Sequence, residues 1–260
     1  MFEKLFSMSG KVCVVTGGSR GLGAFMAQGF LEAGAKRVYI TARKADACIA
    51  SAEELSKYGE CIALPGDVGS ADGLAHLVQE LNKREEHIDV LVNNAGTAWA
   101  APFGQIPEKG WDKVMDINVK SPFFLTQALL PLLAKNATVQ DTASVINIGS
   151  IAGILGNALD TYSYAVSKSA IHQVTRVLAT ELAASHIRVN AIAPGRFYSK
   201  MTEFLSSDSV AFEKELQTIP LRRWGEPSDI AGVAIMLASQ AGAFISGQII
   251  PVDGGTTLIN

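Results

Sequence analysis

The run Val12-Cys13-Val14-Val15-Thr16, followed at once by Gly17-Gly18-Ser19-Arg20-Gly21-Leu22-Gly23, constrains this chain more than any other stretch. Consecutive apolar and β-branched residues read as a strand buried on both faces. Gly17, Gly21 and Gly23 then stand where a chain turning from strand into helix has least room for a Cβ. Their places are the tight turn, the approach to a phosphate and the helix–sheet packing. The helix predicted over 22–33, with Gly34 as its stop, would present free N–H groups and its positive dipole end to a pyrophosphate. Ser19, Arg20 and Leu22 share that turn and join the glycines as candidate cofactor contacts.

Short apolar runs alternate with helical periods along the remaining chain. Strands are predicted at 38–41, 61–64, 88–92, 144–148, 187–192 and 248–252. Helices are predicted at 46–58, 108–119 and 123–133, around Tyr164, and from Pro227 to about 237. With 260 residues and no linker, this pattern bounds the protein to one α/β domain, 1–260, with a covering segment at 196–217. A net charge of -3 without a basic block argues against a nucleic-acid partner. Cys13, Cys48 and Cys61 are odd in number and form no Cys-x-x-Cys, which fits reduced thiols and neither a disulfide frame nor a metal site. The opening Met1-Phe2-Glu3-Lys4-Leu5-Phe6 is too short and too charged for a signal peptide, and no apolar run reaches the roughly 18 residues of a membrane span. A cytoplasmic protein without a membrane partner is expected.

The second strand ends in Ala42-Arg43-Lys44, where a dinucleotide fold preferring NAD places an acidic residue for the ribose 2′-hydroxyl. No acid is present. Arg43 together with Arg20 suits a 2′-phosphate, because each guanidinium offers several N–H groups at once; the alternative is two solvated arginines. Gly66-Asp67-Val68 ends the third strand, and Asp67 either accepts from an adenine amino group or caps the helix beginning near Ser70. In Asn93-Asn94-Ala95-Gly96 the amides can tie adjacent strands, while Ala95 and Gly96 let the backbone approach a cofactor. Trp99 and Phe103 follow on a loop, either bordering a pocket or packing as core.

The chemistry is expected in Tyr162-Ser163-Tyr164-Ala165-Val166-Ser167-Lys168. On a helix Tyr164 and Lys168 share a face one turn apart. A nearby ammonium favours the phenolate and should lower the phenol from its reference pKa of about 10 towards a working value. Ser150, at the end of an apolar run, can bond the same substrate oxygen. Asn118 sits in an apolar pattern where an amide needs a partner, just before Pro122, and either holds a water in a local bulge or caps the next segment. Trp99, Ile154, Leu155, Leu159, Phe197, Met201 and Phe204 follow strand ends on the ligand-binding side of an open sheet. Their apolar character points to a hydrophobic ketone and away from sugars or charged acids; alternatively they seal the cover against the core.

These motifs, in this order, resemble the short-chain dehydrogenase/reductase family over almost the whole chain: Thr16-Gly17 to Gly23, Asn93-Asn94-Ala95-Gly96, Asn118, Ser150, Tyr164-x-x-x-Lys168 and Pro194-Gly195. The resemblance implies a Rossmann-type doubly wound fold, with a seven-stranded parallel sheet ordered 3-2-1-4-5-6-7 and helices on both faces. It implies Tyr164 as acid/base, Lys168 as its modulator and ribose anchor, Ser150 as carbonyl orienter and Asn118 as support for a relay water. Pro194 and Gly195 would border the cofactor. Within the family the chain is similar to NADPH-dependent 3-oxoacyl reductases of the rhamnolipid-associated type, through Ala42-Arg43, Asn147 to Ser150, Ala193 to Phe197 and Arg223-Trp224-Gly225. Ser185-His186 stand where carrier-protein reductases tend to place a basic residue, and Ser150 to Tyr164 is one residue longer than the commonest family spacing. The longer spacing alters the pocket wall, and the missing basic residue, together with the polar surface loop at 135–142, weakens the case for a carrier-protein substrate. The expected activity is NADPH-dependent reduction of a hydrophobic or 3-oxoacyl-type carbonyl, in a homotetramer as in many relatives. The alternatives are an oxidative alcohol or steroid dehydrogenase, disfavoured by Arg20 and Arg43, and a dinucleotide-binding sensor, disfavoured by the retained Ser150, Tyr164 and Lys168.

Overall fold

All seven strands run parallel in one sheet, in the order 3-2-1-4-5-6-7. The computed structural model describes residues 2–156, 160–198 and 209–259. A short helix α1 (Phe2–Leu5) precedes β1 (Val12–Thr16), α2 (Gly21–Glu32), β2 (Arg37–Thr41), α3 (Ala45–Leu55), β3 (Cys61–Ala63), α4 (Ala71–Arg84) and β4 (Val90–Asn93). There follow α5 (Glu108–Met115), α6 (Ser121–Ala134), β5 (Ala143–Ile148), α7 (Tyr162–Glu181), β6 (Ile187–Pro194), α8 (Ser209–Gln217), α9 (Pro227–Ala238) and β7 (Ile249–Val252).

Neighbouring residues of β1 face opposite sides of the sheet, and each side meets its own helices. Cys13 and Val15 join Met26 and Phe30 of α2, Cys48 of α3, and Ile230 and Leu237 of α9 in one core. Val12 and Val14 join Leu77 and Leu81 of α4, Leu125 and Leu129 of α6, and Leu178 of α7 in the other. All three cysteines are buried and unbridged. Buried charge is paired: Glu85 accepts from Arg37 at 2.5 Å and from the Tyr39 hydroxyl at 2.7 Å. Arg188 donates to the carbonyls of Leu237 and Gly242 at 2.7 and 2.9 Å, closing the carboxyl end of α9.

One local expectation changes. The helix predicted over 108–119 is not continuous: α5 ends at Met115 and a π turn covers Asp116–Lys120. Pro122 falls in the first turn of α6, where its missing N–H removes no helical bond. The polar stretch 135–142 carries no helix or strand, yet it is fastened, with Lys11 donating to Asp141 at 2.6 Å. No helix of the described residues is long and apolar enough to cross a membrane.

Candidate active site

The carboxyl ends of β1, β2 and β4 form a cradle made mostly of backbone. Gly17 adopts φ +64°, a conformation that favours glycine. A Cβ on Gly23 would lie 2.4 Å from the Gly17 carbonyl oxygen and 2.5 Å from Asn94 Nδ2, so the helix can sit this close only without one. Asn94 Nδ2 donates to the Thr16 and Gly17 carbonyls at 2.8 and 3.0 Å. The Thr16 hydroxyl accepts from the backbone N–H groups of Asn94 and Ala95 at 3.0 Å each. Asn93 Nδ2 reaches across to Asn147 Oδ1 on β5 at 2.9 Å. The two amides thus tie β4 to both neighbours.

Helix α2 starts at Gly21 with no side-chain cap on Arg20, which leaves its first-turn N–H groups available to a phosphate. Beside it, Gly18 N donates to the Thr41 carbonyl at 3.1 Å, holding the end of β2 against the turn two residues before Arg43. Arg20 and Arg43 are exposed and pair with no carboxylate among the described residues. This donor set fits a dinucleotide bearing a 2′-phosphate. Asp67 is exposed and accepts from Gly69 N at 3.0 Å, while the cap of α4 is Ser70, whose hydroxyl accepts from Gly73 N at 3.1 Å. The capping alternative for Asp67 is therefore corrected. Val68 is buried, so only its main chain is open to a cofactor.

The carbonyl side is built from side chains where β5 meets α7. The Ser150 hydroxyl accepts from Ala152 N at 3.1 Å and lies near enough to the Tyr164 phenol to favour its ionised form. Lys168, buried one turn on, donates to the Ile148 carbonyl at 2.6 Å, and its ammonium lies 5.5 Å from the centre of the Tyr164 ring. Next along the same face comes His172, whose ring lies so close behind Gly149 that a Cβ there would meet Nε2 at 2.2 Å. Asn147 Nδ2 donates to Thr175 Oγ1 at 2.9 Å, completing a polar seam from the core to the cleft.

Burial sets the electrostatics of this seam. It pushes the Tyr164 phenol above its ordinary value, with Ser150 and the Arg196 charge pulling the other way. Tyr164 as a whole is half-buried. The expectation that Lys168 brings the phenol towards neutrality is thus not met: desolvation dominates, and the opposing pull comes from Ser150 and Arg196. Burial also lowers Lys168 to about 8. His172 is lowered to about 4 by burial and by the Lys168 and Arg176 charges, so it is neutral at pH 7.

Asn118 lies in the π turn. Its Oδ1 accepts from Thr97 N and its Nδ2 donates to Thr97 O and Ser167 Oγ, each at 2.9 Å. Both amide donors are engaged, so the side chain clamps the Thr97 loop to α7. Gly96 lies beside Asn118 and Lys168: a Cβ there would be 3.4 Å from Asn118 Oδ1 and 3.8 Å from Lys168 Nζ. Pro194 ends β6, and Gly195 N donates to the Val252 carbonyl at 2.9 Å.

The pocket residues divide. Ile154 is exposed and Leu155 half-buried beside the Ser150 turn. The half-buried Trp99 indole lies against Gly110 of α5. Phe103 is exposed and meets the Tyr162 ring edge-on at 5.5 Å. Phe197 is 4% exposed, belongs to the α2–α9 core and presses its ring on Gly225, which favours the alternative that it packs against the core. Leu159, Met201 and Phe204 lie outside the described residues, as does part of the 196–217 cover. A shallow hollow lined by Glu213, Leu216, Gln217 and Arg222 contains none of the candidate catalytic groups.

Sequence reasoning missed Gly18, Thr16, His172, Arg196 and Glu215. Gly18 was visible in the glycine pair, since its Cβ would meet the Ile40 side chain at 2.7 Å. The other four take their place from partners distant in the chain.

A family model described as Enoyl-(Acyl carrier protein) reductase matches residues 17–257. A rhamnolipids biosynthesis 3-oxoacyl-acyl-carrier-protein reductase of Pseudomonas aeruginosa is 50% identical over 250 residues, covering 96% of this chain and 97% of that protein. A 2-dehydro-3-deoxy-D-gluconate 5-dehydrogenase of Escherichia coli is 39% identical, covering 98% of each. The solved Pseudomonas aeruginosa RhlG/NADP active-site complex superposes with a TM-score of 0.95 at 49% identity, covering 98% of this chain and 99% of that one. With the parallel sheet, the glycine turn and the Ser150–Tyr164–Lys168 cluster in place, the chain belongs to the short-chain dehydrogenase/reductase family.

Proposed function

We propose that this protein reduces a hydrophobic ketone of the 3-oxoacyl type to the alcohol, using NADPH. The observation that carries this reading is the Lys168 ammonium held 5.5 Å from the centre of the Tyr164 ring with Ser150 nearby, beside a backbone cradle suited to a dinucleotide. Support for the cofactor comes from the unpaired Arg20 and Arg43 and from the NADP complex of the similar structure. The Gly17 turn and the amino end of α2 would hold its phosphates, Arg20 and Arg43 the 2′-phosphate, and Asp67, Val68, Asn94, Ala95, Gly96, Pro194 and Gly195 its nucleoside ends. When bound, NADPH supplies the hydride.

The chain's own part is to hold an oxygen and deliver a proton. Ser150 and Tyr164 hydroxyls both bond the substrate carbonyl oxygen, and the Tyr164 proton passes to that oxygen as negative charge develops. A phenol kept protonated by burial is suited to act as the acid; the Arg196 charge favours the phenolate left behind, and the Lys168 ammonium stands 5.5 Å from its ring. Asn118 keeps the Thr97 loop against α7, so the cleft retains its shape.

A second reading, oxidation of a hydroxy acid, draws on the sugar-acid dehydrogenase at 39% identity. A panel of 3-oxoacyl thioesters and esters, aryl ketones and keto-sugar acids, each with NADPH and NADH, separates the two. We expect NADPH consumption with the apolar ketones. Turnover confined to sugar acids would transfer the chain to the second reading, and no turnover with any member would leave a dinucleotide-binding sensor.

We also propose a cytoplasmic homotetramer. Val166 and Val177 on α7, Phe124 on α6, and Phe244 and Leu258 near the carboxyl end are exposed apolar side chains that association would cover. Light scattering at micromolar concentration is the check, and a monomer there would overturn it.

A further inference from the structure

Arg196 brings a guanidinium to the end of the sheet where β5 delivers Ser150 and β6 ends at Pro194. It follows β6 by two residues, and β6 is the register partner of β5, with Ile148 opposite Ile192. Its charge is felt at the Tyr164 hydroxyl. Its main chain is fixed, with Gly225 N donating to the Arg196 carbonyl at 2.8 Å. Its Nε donates to Glu215 Oε1 on α8, and the pair is only partly exposed, at 29% and 20% of the two side chains. The two terminal nitrogens make no hydrogen bond to a described residue.

A bare guanidinium here would attract any carboxylate on a substrate, through two parallel N–H bonds. Glu215 already answers that charge. Asp253, the other carboxylate beside this strand end, accepts instead from Gly255 N at 2.9 Å and Thr257 N at 2.8 Å. Resting on the reductase reading above, we propose that Glu215 is a built-in counter-ion that prevents Arg196 from receiving a substrate carboxylate, and so sets the site's preference for neutral ketones over keto acids. An incoming acid must either displace Glu215 or share one guanidinium with a like charge, whereas a neutral acyl chain meets neither penalty.

The simpler alternative is a tether that only holds α8. That helix has a separate attachment: Trp224 packs on Phe212 of α8 with ring centres 5.1 Å apart and on Tyr198 at 4.8 Å. Removing the Glu215 charge should therefore leave α8 docked.

The test compares wild type, Glu215→Gln and the double variant Glu215→Gln/Arg196→Gln in two assays. The first measures kcat/KM with NADPH for a 3-oxo acid and its methyl ester. We expect Glu215→Gln to raise the acid-to-ester ratio by about tenfold or more, and the added Arg196→Gln to abolish the gain. The second measures calorimetric binding of octanoate and octanamide to the enzyme saturated with NADP, where octanoate alone should gain affinity in Glu215→Gln. Equal changes for charged and neutral partners in both assays would mean a tether and overturn the proposal. If wild type turns over no ester while the octanoate selectivity still shifts, the reductase reading fails and the counter-ion stands.

Discussion

The nucleotide end and the carbonyl end of this cleft lie along the same row of strand ends, yet they are built from different material. Around Gly17 and Gly23 the geometry depends on atoms that are missing, and the ligands on offer are backbone N–H groups. Around Ser150, Tyr164 and Lys168 it depends on side chains that are present, with Tyr164 and Lys168 one turn apart on α7 and Ser150 just beyond β5. A backbone cradle holds a cofactor with little regard to its chemistry. A side-chain seam sets charges, so errors there should affect rate more than binding.

The most severe test of that contrast is Tyr164→Phe. It should lower kcat by about a thousandfold with the Kd for NADPH changed little, as loss of a general acid predicts. Stopped-flow fluorescence for binding and steady-state assay for turnover read the two separately, and a comparable loss of binding would erase the distinction. Gly23→Ala should do the reverse, weakening NADPH by about a hundredfold or unfolding the turn, because its new Cβ meets backbone that cannot yield. If kcat at saturating NADPH falls as steeply as affinity, the cradle is part of the chemistry after all.

Phe197→Ala should destabilise the protein by about 3 kcal/mol, as for a large buried ring, and reduce turnover of short and long ketones alike. A melting curve beside a graded ketone series checks it; selective loss of long ketones would return Phe197 to the pocket. Arg43→Asp should lower the NADPH-to-NADH ratio of kcat/KM by about tenfold or more, since a carboxylate repels the 2′-phosphate and accepts a free hydroxyl. A wild type that already prefers NADH would refute the arginine argument.

The smallest effect is in pH. Lys168 sits at about 8 against an ordinary 10.5, so between those values the unfolded chain carries the extra proton and stability contributed by this group rises with pH. Activity should fall over the same range as the ammonium is lost. Parallel curves of kcat/KM and denaturation midpoint from pH 7 to about 10 should diverge; a common fall would mean that Lys168 is not the group being titrated.

The contrast also explains what the amino-acid sequence reveals. A glycine between an apolar run and a helical period already declares a missing Cβ, so β1, its turn and the parallel sheet are readable, as is the lack of an acid beside Arg43. The spacing of Tyr164 and Lys168 declares a shared face but not how much water reaches it, so the direction of the phenol shift could not be read. Glu215 and Arg196 are joined only when α8 crosses the end of β6. Phe197 is an apolar letter in either orientation, and nothing local says that Gly225 will lie beneath its ring. The π turn is half-legible: Asn118 before Pro122 allows a local bulge, but the apolar pattern of 108–119 does not say where the helix changes pitch.

The three buried cysteines all belong to the core shared by α2, α3 and α9. Burial raises every one of these thiols, Cys61 to about 12, so almost no thiolate exists at neutral pH. Alkylating reagents have nothing to attack until that layer opens. The chain thus carries its own reporter: the rate of thiol labelling times the breathing of the nucleotide half, and should slow in proportion to NADPH occupancy while remaining indifferent to ketone.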